Sequence, residues 1–174
     1  SNDNYHVPKS ANNLGYVENT DAQSWSGTVG SSWVDDWGML GVSINHLDNN
    51  YGVPPVDELV RIDLKQTRYD LKAELYDPIV GIETLKFRFA YNDYQHAELE
   101  DGITVGTQFD NQGLETRLEL VHQPLAFIDH GVWGFQAQHK KLKAIGEEAF
   151  VPPSKVQNYA FFIVEDTHIG AITY

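Results

Sequence analysis

The sequence predicts an all-β fold, an antiparallel up-and-down meander that forms part of a transmembrane β-barrel. Three observations predict it. Apolar and polar residues alternate along six of eight strand-like segments, the period of two that a strand with unlike faces requires. No segment holds a 3.6-residue period. The connections between the segments alternate short and long, as in a barrel with tight turns at one rim and loops at the other.

The first segment, "SWSGTVGSSWV" (24–34), sets Trp25, Val29 and Trp33 against small polar residues. "GMLGVSINHL" (38–47) sets Leu40, Val42 and Ile44 against Gly41, Ser43 and Asn45. Residues 61–76 contain "RYDLKAELY", in which Arg68, Asp70, Lys72 and Glu74 share one parity and Tyr69, Leu71, Ala73 and Leu75 the other. "TLKFRFAYNDYQHAEL" (84–99) puts Leu85, Phe87, Phe89 and Tyr91 opposite Lys86, Arg88, Asn92 and Tyr94. "GLETRLELVH" (113–122) puts Leu114, Leu118 and Leu120 opposite Glu115, Arg117 and Glu119. "GVWGFQAQHK" (131–140) carries Trp133, Phe135 and Ala137 on one side, and "VQNYAFFIVED" (156–166) is apolar on both. "IGAITY" (169–174) reads as a strand cut short. "KKLKAIGEEAF" (140–150) comes nearest to a helix, but Gly146 interrupts it and it reads as loop.

Short connections are expected at 35–37, 77–83, 123–130 and 166–168, and long polar ones at 48–60, 100–112 and 141–155. Trp33, Trp37, Tyr76 and Trp133 gather beside the short turns, with Trp25, Tyr91 and Tyr159 toward the opposite strand ends. Two such rows suit the interfacial girdles of a membrane barrel. In that setting the leucines and phenylalanines face lipid, and Arg68, Asp70, Lys72, Glu74, Lys86, Arg88, Glu115, Arg117 and Glu119 line the lumen. Opposite charges across neighbouring strands would then support one another. A soluble β-sandwich, with the charges outward, accounts for the same alternation.

A chain of 174 residues suffices for one domain. Its formal net charge of −13 argues against nucleic acid as a partner and for attraction of cations. Without cysteine there is no disulfide frame or thiolate metal site. No run approaches the length of a membrane helix, which leaves a barrel open. Ser1 begins no secretion signal, so a leader is expected to have been removed or the chain to be an internal piece.

Five stretches, "LDNNYGVPP" (47–55), "RIDLKQTRYDLKAEL" (61–75), "FAYNDYQHAELEDG" (89–102), "NQGLETRLELVHQP" (111–124) and "KVQNYAFFIVED" (155–166), together resemble TonB-dependent outer-membrane receptors, and most closely their zinc-uptake branch. The likeness covers roughly residues 24–172. It implies a bacterial outer-membrane location, a 22-stranded barrel closed by a plug, and energy drawn from the TonB complex through that plug. Neither plug nor TonB box is found here. The chain is expected to be a single partial barrel domain over 1–174, with about eight or nine strands, set in lipid and completed by the rest of its barrel. The His- and acid-rich loop that often follows "NNYG-P" in the zinc branch is replaced by "VDELVRID".

The chain has no nucleophile elbow, no H-E-x-x-H, no P-loop and no dinucleotide fingerprint, and is not expected to be an enzyme. It requires no cofactor; zinc enters as a possible transported ligand. Of seven histidines, only His96 shares parity with the lumen set. Glu98 and Glu100 follow on that parity and Asp101 adjoins them, offering one nitrogen and several oxygens, a donor set that suits zinc. Neighbours two apart on a strand stand roughly 7 Å apart, so an acidic loop with one histidine is the competing reading. The function expected is a segment of a transporter for a metal ion or metal chelate, zinc foremost. A small eight-stranded barrel or a sandwich binding module is the alternative.

Overall fold

The computed structural model describes residues 1–10, 15–54, 58–125, 128–146, 149–169 and 172–173. Its strands are β1 (Ala22–Asp35), β2 (Gly38–Gly52), β3 (Val60–Ile79), β4 (Ile82–Glu100), β5 (Thr104–His122), β6 (His130–Gly146) and β7 (Ser154–Asp166). They form one antiparallel sheet in sequence order, each paired with the next. The described residues contain no helix. β1 and β7 are the two ends of the sheet, which is not closed into a barrel. The last segment forms a separate hairpin, β8 (His168–Ile169) with β9 (Ile172–Thr173), rather than a further strand of the sheet.

Register sorts the side chains, because residues directly opposite one another in a ladder project from the same face. One row runs Val29, Ile44, Tyr69, Tyr91, Leu114, His139, Gln157. Another runs Trp33, Leu40, Ala73, Phe87, Leu118, Phe135, Phe161. The expected apolar residues therefore share a single face. Phe135 packs tilted against Phe161 at 4.8 Å, and Trp33 meets Trp37 edge-on at 6.3 Å.

No second layer covers either face among the described residues. Only Ile62 and Ile82 are buried hydrophobics there, while Trp25, Trp33, Tyr159 and Phe161 stand 61–82% exposed. The surface measures 12091 Å². A compact monomer of 19.7 kDa would expose about 8,600 Å². Such a sheet has no core in the usual sense; what holds it is its ladder.

Several sequence expectations need correction. The segments expected as long loops are largely strand: β2 runs on to Gly52, β5 begins at Thr104 and β6 continues to Gly146. The connection 101–103 is a tight turn, with Asp101 and Gly102 both at positive φ, 51° and 75°. "KKLKAIG" belongs to β6, not to a loop. In these extensions both faces are polar or mixed, so the apolar alternation that marks a strand is absent although its hydrogen bonds continue.

Two glycines in β6 let β5 reach β7 across an intervening strand. Gly131 lies between His122 and Glu165 in the register. His122 Nε2 meets Glu165 Oε2 at 2.7 Å over it, and Trp133 Nε1 donates to Glu165 Oε1 at 2.6 Å. A Cβ on Gly131 would fall 1.9 Å from that carboxylate oxygen. On the other face Phe162 lies over Gly134 and under the Arg117 guanidinium, 4.5 Å from ring centre to Cζ. Gly131→Ala is expected to destabilise the sheet by about 1–3 kcal/mol. Gly113→Ala, with nothing within 4 Å of the added carbon, should be near neutral. Urea unfolding of the protein in detergent micelles compares the two.

Candidate functional site

The charged face of the sheet carries an open trough of about 970 Å³. Arg68, Asp70 and Lys72 from β3, Arg88 from β4, Glu115, Arg117 and Glu119 from β5 all line it. Glu74 and Lys86 belong to the same face by register, opposite one another in a row that ends at Glu119. Gly30, Gly41, Ser43 and Ala90 form part of the wall and leave the space that larger side chains would fill.

The charges are paired mainly along strands, not across them. Arg68 grips Asp70 at 2.8 Å, Lys72 meets Glu74 at 3.0 Å, and Arg117 Nε donates to Glu119 at 2.5 Å. Across strands the register sets Lys72 opposite Arg88 and Arg88 opposite Arg117, a row of like charge. The sequence suggested alternating signs across strands; the Glu74–Lys86–Glu119 row alternates, but its neighbour does not. Gln136 braces this region, accepting from Arg117 Nη1 at 3.1 Å and donating to Glu115 at 2.8 Å.

At the far end of β4, the structure places His96, Glu98 and Glu100 on the trough face, opposite Leu64, Ile62 and Val60 of β3. His96 is stacked on Phe109, 4.6 Å between ring centres, and its Nδ1 lies 3.0 Å from the Tyr94 hydroxyl. Its Nε2 faces Glu98 Oε1 at 4.0 Å. Asp101 sits in the turn beyond. Among the described residues no three histidine or acidic side chains converge as a metal cage. His96 and Glu98 are the pair brought together; the extended strand keeps Glu100 and Asp101 further along.

A polar clamp beside this turn was not anticipated. Arg61, at the start of β3, holds both Asp21 oxygens at 3.0 Å and Asn50 Oδ1 at 2.8 Å. Asn19 accepts from the same guanidinium and donates to the Val53 and Val60 carbonyls. Together they tie the N-terminal segment to the ends of β2 and β3. Partners 40 residues apart leave no local pattern to read. Two other histidines serve structure: His122 is 3% exposed and held between Gln123 O and Glu165, and His46 contacts Thr67 at 2.9 Å. No family model matches the chain.

Hydrogen bonds from Arg61 hold the Asp21 carboxyl below its ordinary range, with the guanidinium's charge adding to them. A lowered folded pKa means that the clamp is at full strength above the ordinary carboxylate range and is lost as pH falls through the lowered value. Gly52 donates its amide to the Asp21 carbonyl, so this amide reports on the clamp. Arg61→Ala should speed Gly52 amide exchange at neutral pH relative to mid-sheet amides. The wild type should approach that behaviour only in strong acid.

Proposed function

We propose that this chain is a segment of a TonB-dependent outer-membrane transporter for a metal ion or metal chelate, zinc foremost. The observation that carries the reading is the uncovered apolar face. Seven strands at about 4.8 Å spacing make a band roughly 34 Å wide. From Tyr69 to Leu75, or from Trp25 to Trp33, it is roughly 20–25 Å tall. That is a band of roughly 800 Å², apolar but for Ser31 and Thr116, beyond the few hundred Å² that soluble monomers expose. It matches the height of an outer-membrane barrel's lipid-facing band. A sandwich would need a second sheet over this band, and the described residues supply none.

In this reading the sheet is a sector of a barrel wall. Lipid covers the Leu71, Phe87, Leu118 and Phe135 side, and the trough faces the lumen. Neighbouring strands of the same barrel pair with β1 and β7, since open edges cannot stand in hydrocarbon. A plug fills the lumen and connects to the TonB complex. The strand extensions beyond the band project outward, and His96, Glu98, Glu100 and Asp101 gather cations at that rim by their field. His96 supplies the nitrogen that favours zinc over calcium; the ligand or other parts of the protein complete its coordination. No catalytic step is assigned.

Two experiments test the reading. Phe87→Arg, in the band, should cost about 2–4 kcal/mol of folding free energy into phosphatidylcholine vesicles. Asn92→Arg on the trough face should cost well under half as much, and equal costs would remove the membrane orientation. Isothermal titration of zinc into the intact receptor should show weaker binding in His96→Ala. Indistinguishable zinc affinities would reduce "HAELED" to an acidic surface.

A further inference from the structure

We propose that His122 is kept as the imidazolium ion, so that one proton latches β7 to β5 and rising pH opens the latch. It sits at the turn end of the sheet, beyond Leu120, on the row Ile82, His122, Gly131, Glu165. Both ring nitrogens of His122 face oxygens. Nδ1 is 2.7 Å from the Gln123 carbonyl and Nε2 is 2.7 Å from Glu165 Oε2. A carbonyl can only accept a hydrogen bond, and so can an ionised carboxylate. A neutral imidazole has a single N–H. It would serve one oxygen and set a bare lone pair against the other. Two N–H groups satisfy both.

Placing the extra proton on Glu165 gives the same count, but three features put it on the ring. An imidazole is more basic than a carboxyl by about two pK units. Trp133 Nε1 donates to Glu165 Oε1 at 2.6 Å, a bond that favours the carboxylate. The Trp133 ring lies 5.3 Å from the imidazole, within reach of a cation–π contact. The Glu165 side chain stays 26% exposed, so its charge is not sealed away.

Among the described residues, Glu165 is the one charged group acting on the ring. Ile82 faces it from β4, Leu120 adjoins it on β5, and Gly131 and Trp133 flank it from β6. Glu83 and His130 turn to one another at 3.9 Å. Glu119 is held by Arg117 on the other face, and Asp166 alternates to that face too. Loss of the ring proton leaves a lone pair against an oxygen and a carboxylate without its cation, so the latch opens as pH rises through the titration of the ring. In strong acid Glu165 is protonated and the ion pair is lost at that limit as well. The latch is shut between the two. β7 has a neighbour on one side only, so its turn end is the part released.

Nitrogen-15 NMR of the histidine side chains, with the intact protein in detergent micelles, counts the protons on the ring. At about pH 6.5, where half of free histidine is neutral, His122 should carry two N–H groups in a larger share of molecules than a histidine in a short unfolded peptide. An equal or smaller share overturns the proposal, and this measurement needs no variant. Urea unfolding of wild type, His122→Gln, Glu165→Gln and the double variant reads the latch as a coupling between the two residues. Near about pH 6 the coupling should change the folding equilibrium constant about tenfold or more, and at about pH 10, where imidazole is neutral, it should vanish. A coupling of equal size at both, or none at either, overturns the proposal. Neither experiment involves zinc or a bilayer, so both outcomes stand apart from the transport reading.

Discussion

Backbone hydrogen bonding between neighbouring strands is the interaction on which the sheet depends, because among the described residues no second layer presses on it. Each strand is held by its sequence neighbours, and β1 and β7 have only one neighbour apiece. The ladder therefore does two things at once. It supplies the cohesion that a core would give elsewhere, and it decides which side chain meets which. A slip of one residue in any strand would turn its leucines to the charged face and its charges to the apolar one. The bridge from His122 to Glu165 and the contact between Phe162 and Arg117 work against such a slip, since each joins β5 to β7 through a particular glycine of β6. Both depend on the exact residue that the register places between them.

The two faces are built for different surroundings. On the apolar one, aromatic and aliphatic side chains meet each other but are left open, so their energetic return comes only when something apolar covers them. On the charged one, the short pairs along β3 and β5 satisfy most of the acids and bases locally, a modest gain at exposed positions. What remains is a field rather than a set of bonds: a row of like positive charge, Lys72, Arg88 and Arg117, beside a row of mixed sign, Glu74, Lys86 and Glu119. A sheet can carry unlike environments on its two sides only because successive residues point in opposite directions.

The all-β antiparallel meander was legible because most of each strand lies where one face is apolar and the other charged. Residues 68–76 and 84–91 show that contrast at every step, and their faces could be assigned before any coordinates. Legibility failed where the contrast fails. At 104–112 and 140–146 both faces are polar or mixed, and nothing in the composition separates a solvated strand from a loop; only the partner strand makes the difference. The histidine and acids of "HAELED" could be assigned a face, but not brought to one point. The extended backbone of β4 spaces them, and His96 is claimed by Phe109 and Tyr94. The Arg61 clamp and the cationic row are products of pairing between distant segments, and a sequence read one strand at a time contains neither.

The register also fixes an angle. A line drawn perpendicular to the strands from Val29, midway between Trp25 and Trp33, arrives at Gln157 in β7. The middle of the apolar stretch in β7, however, is Phe161, four residues further along. The slide is already present at β3 and β4, where the line meets Tyr69 and Tyr91 at the edge of their apolar runs. Four residues amount to roughly 13 Å along a strand, set against six strand spacings of roughly 29 Å. With the band laid level, the strands lean about 25° from upright, toward the inclination that a closed barrel demands of its staves. The lean is written in where the leucines stop, strand by strand, as much as in the backbone.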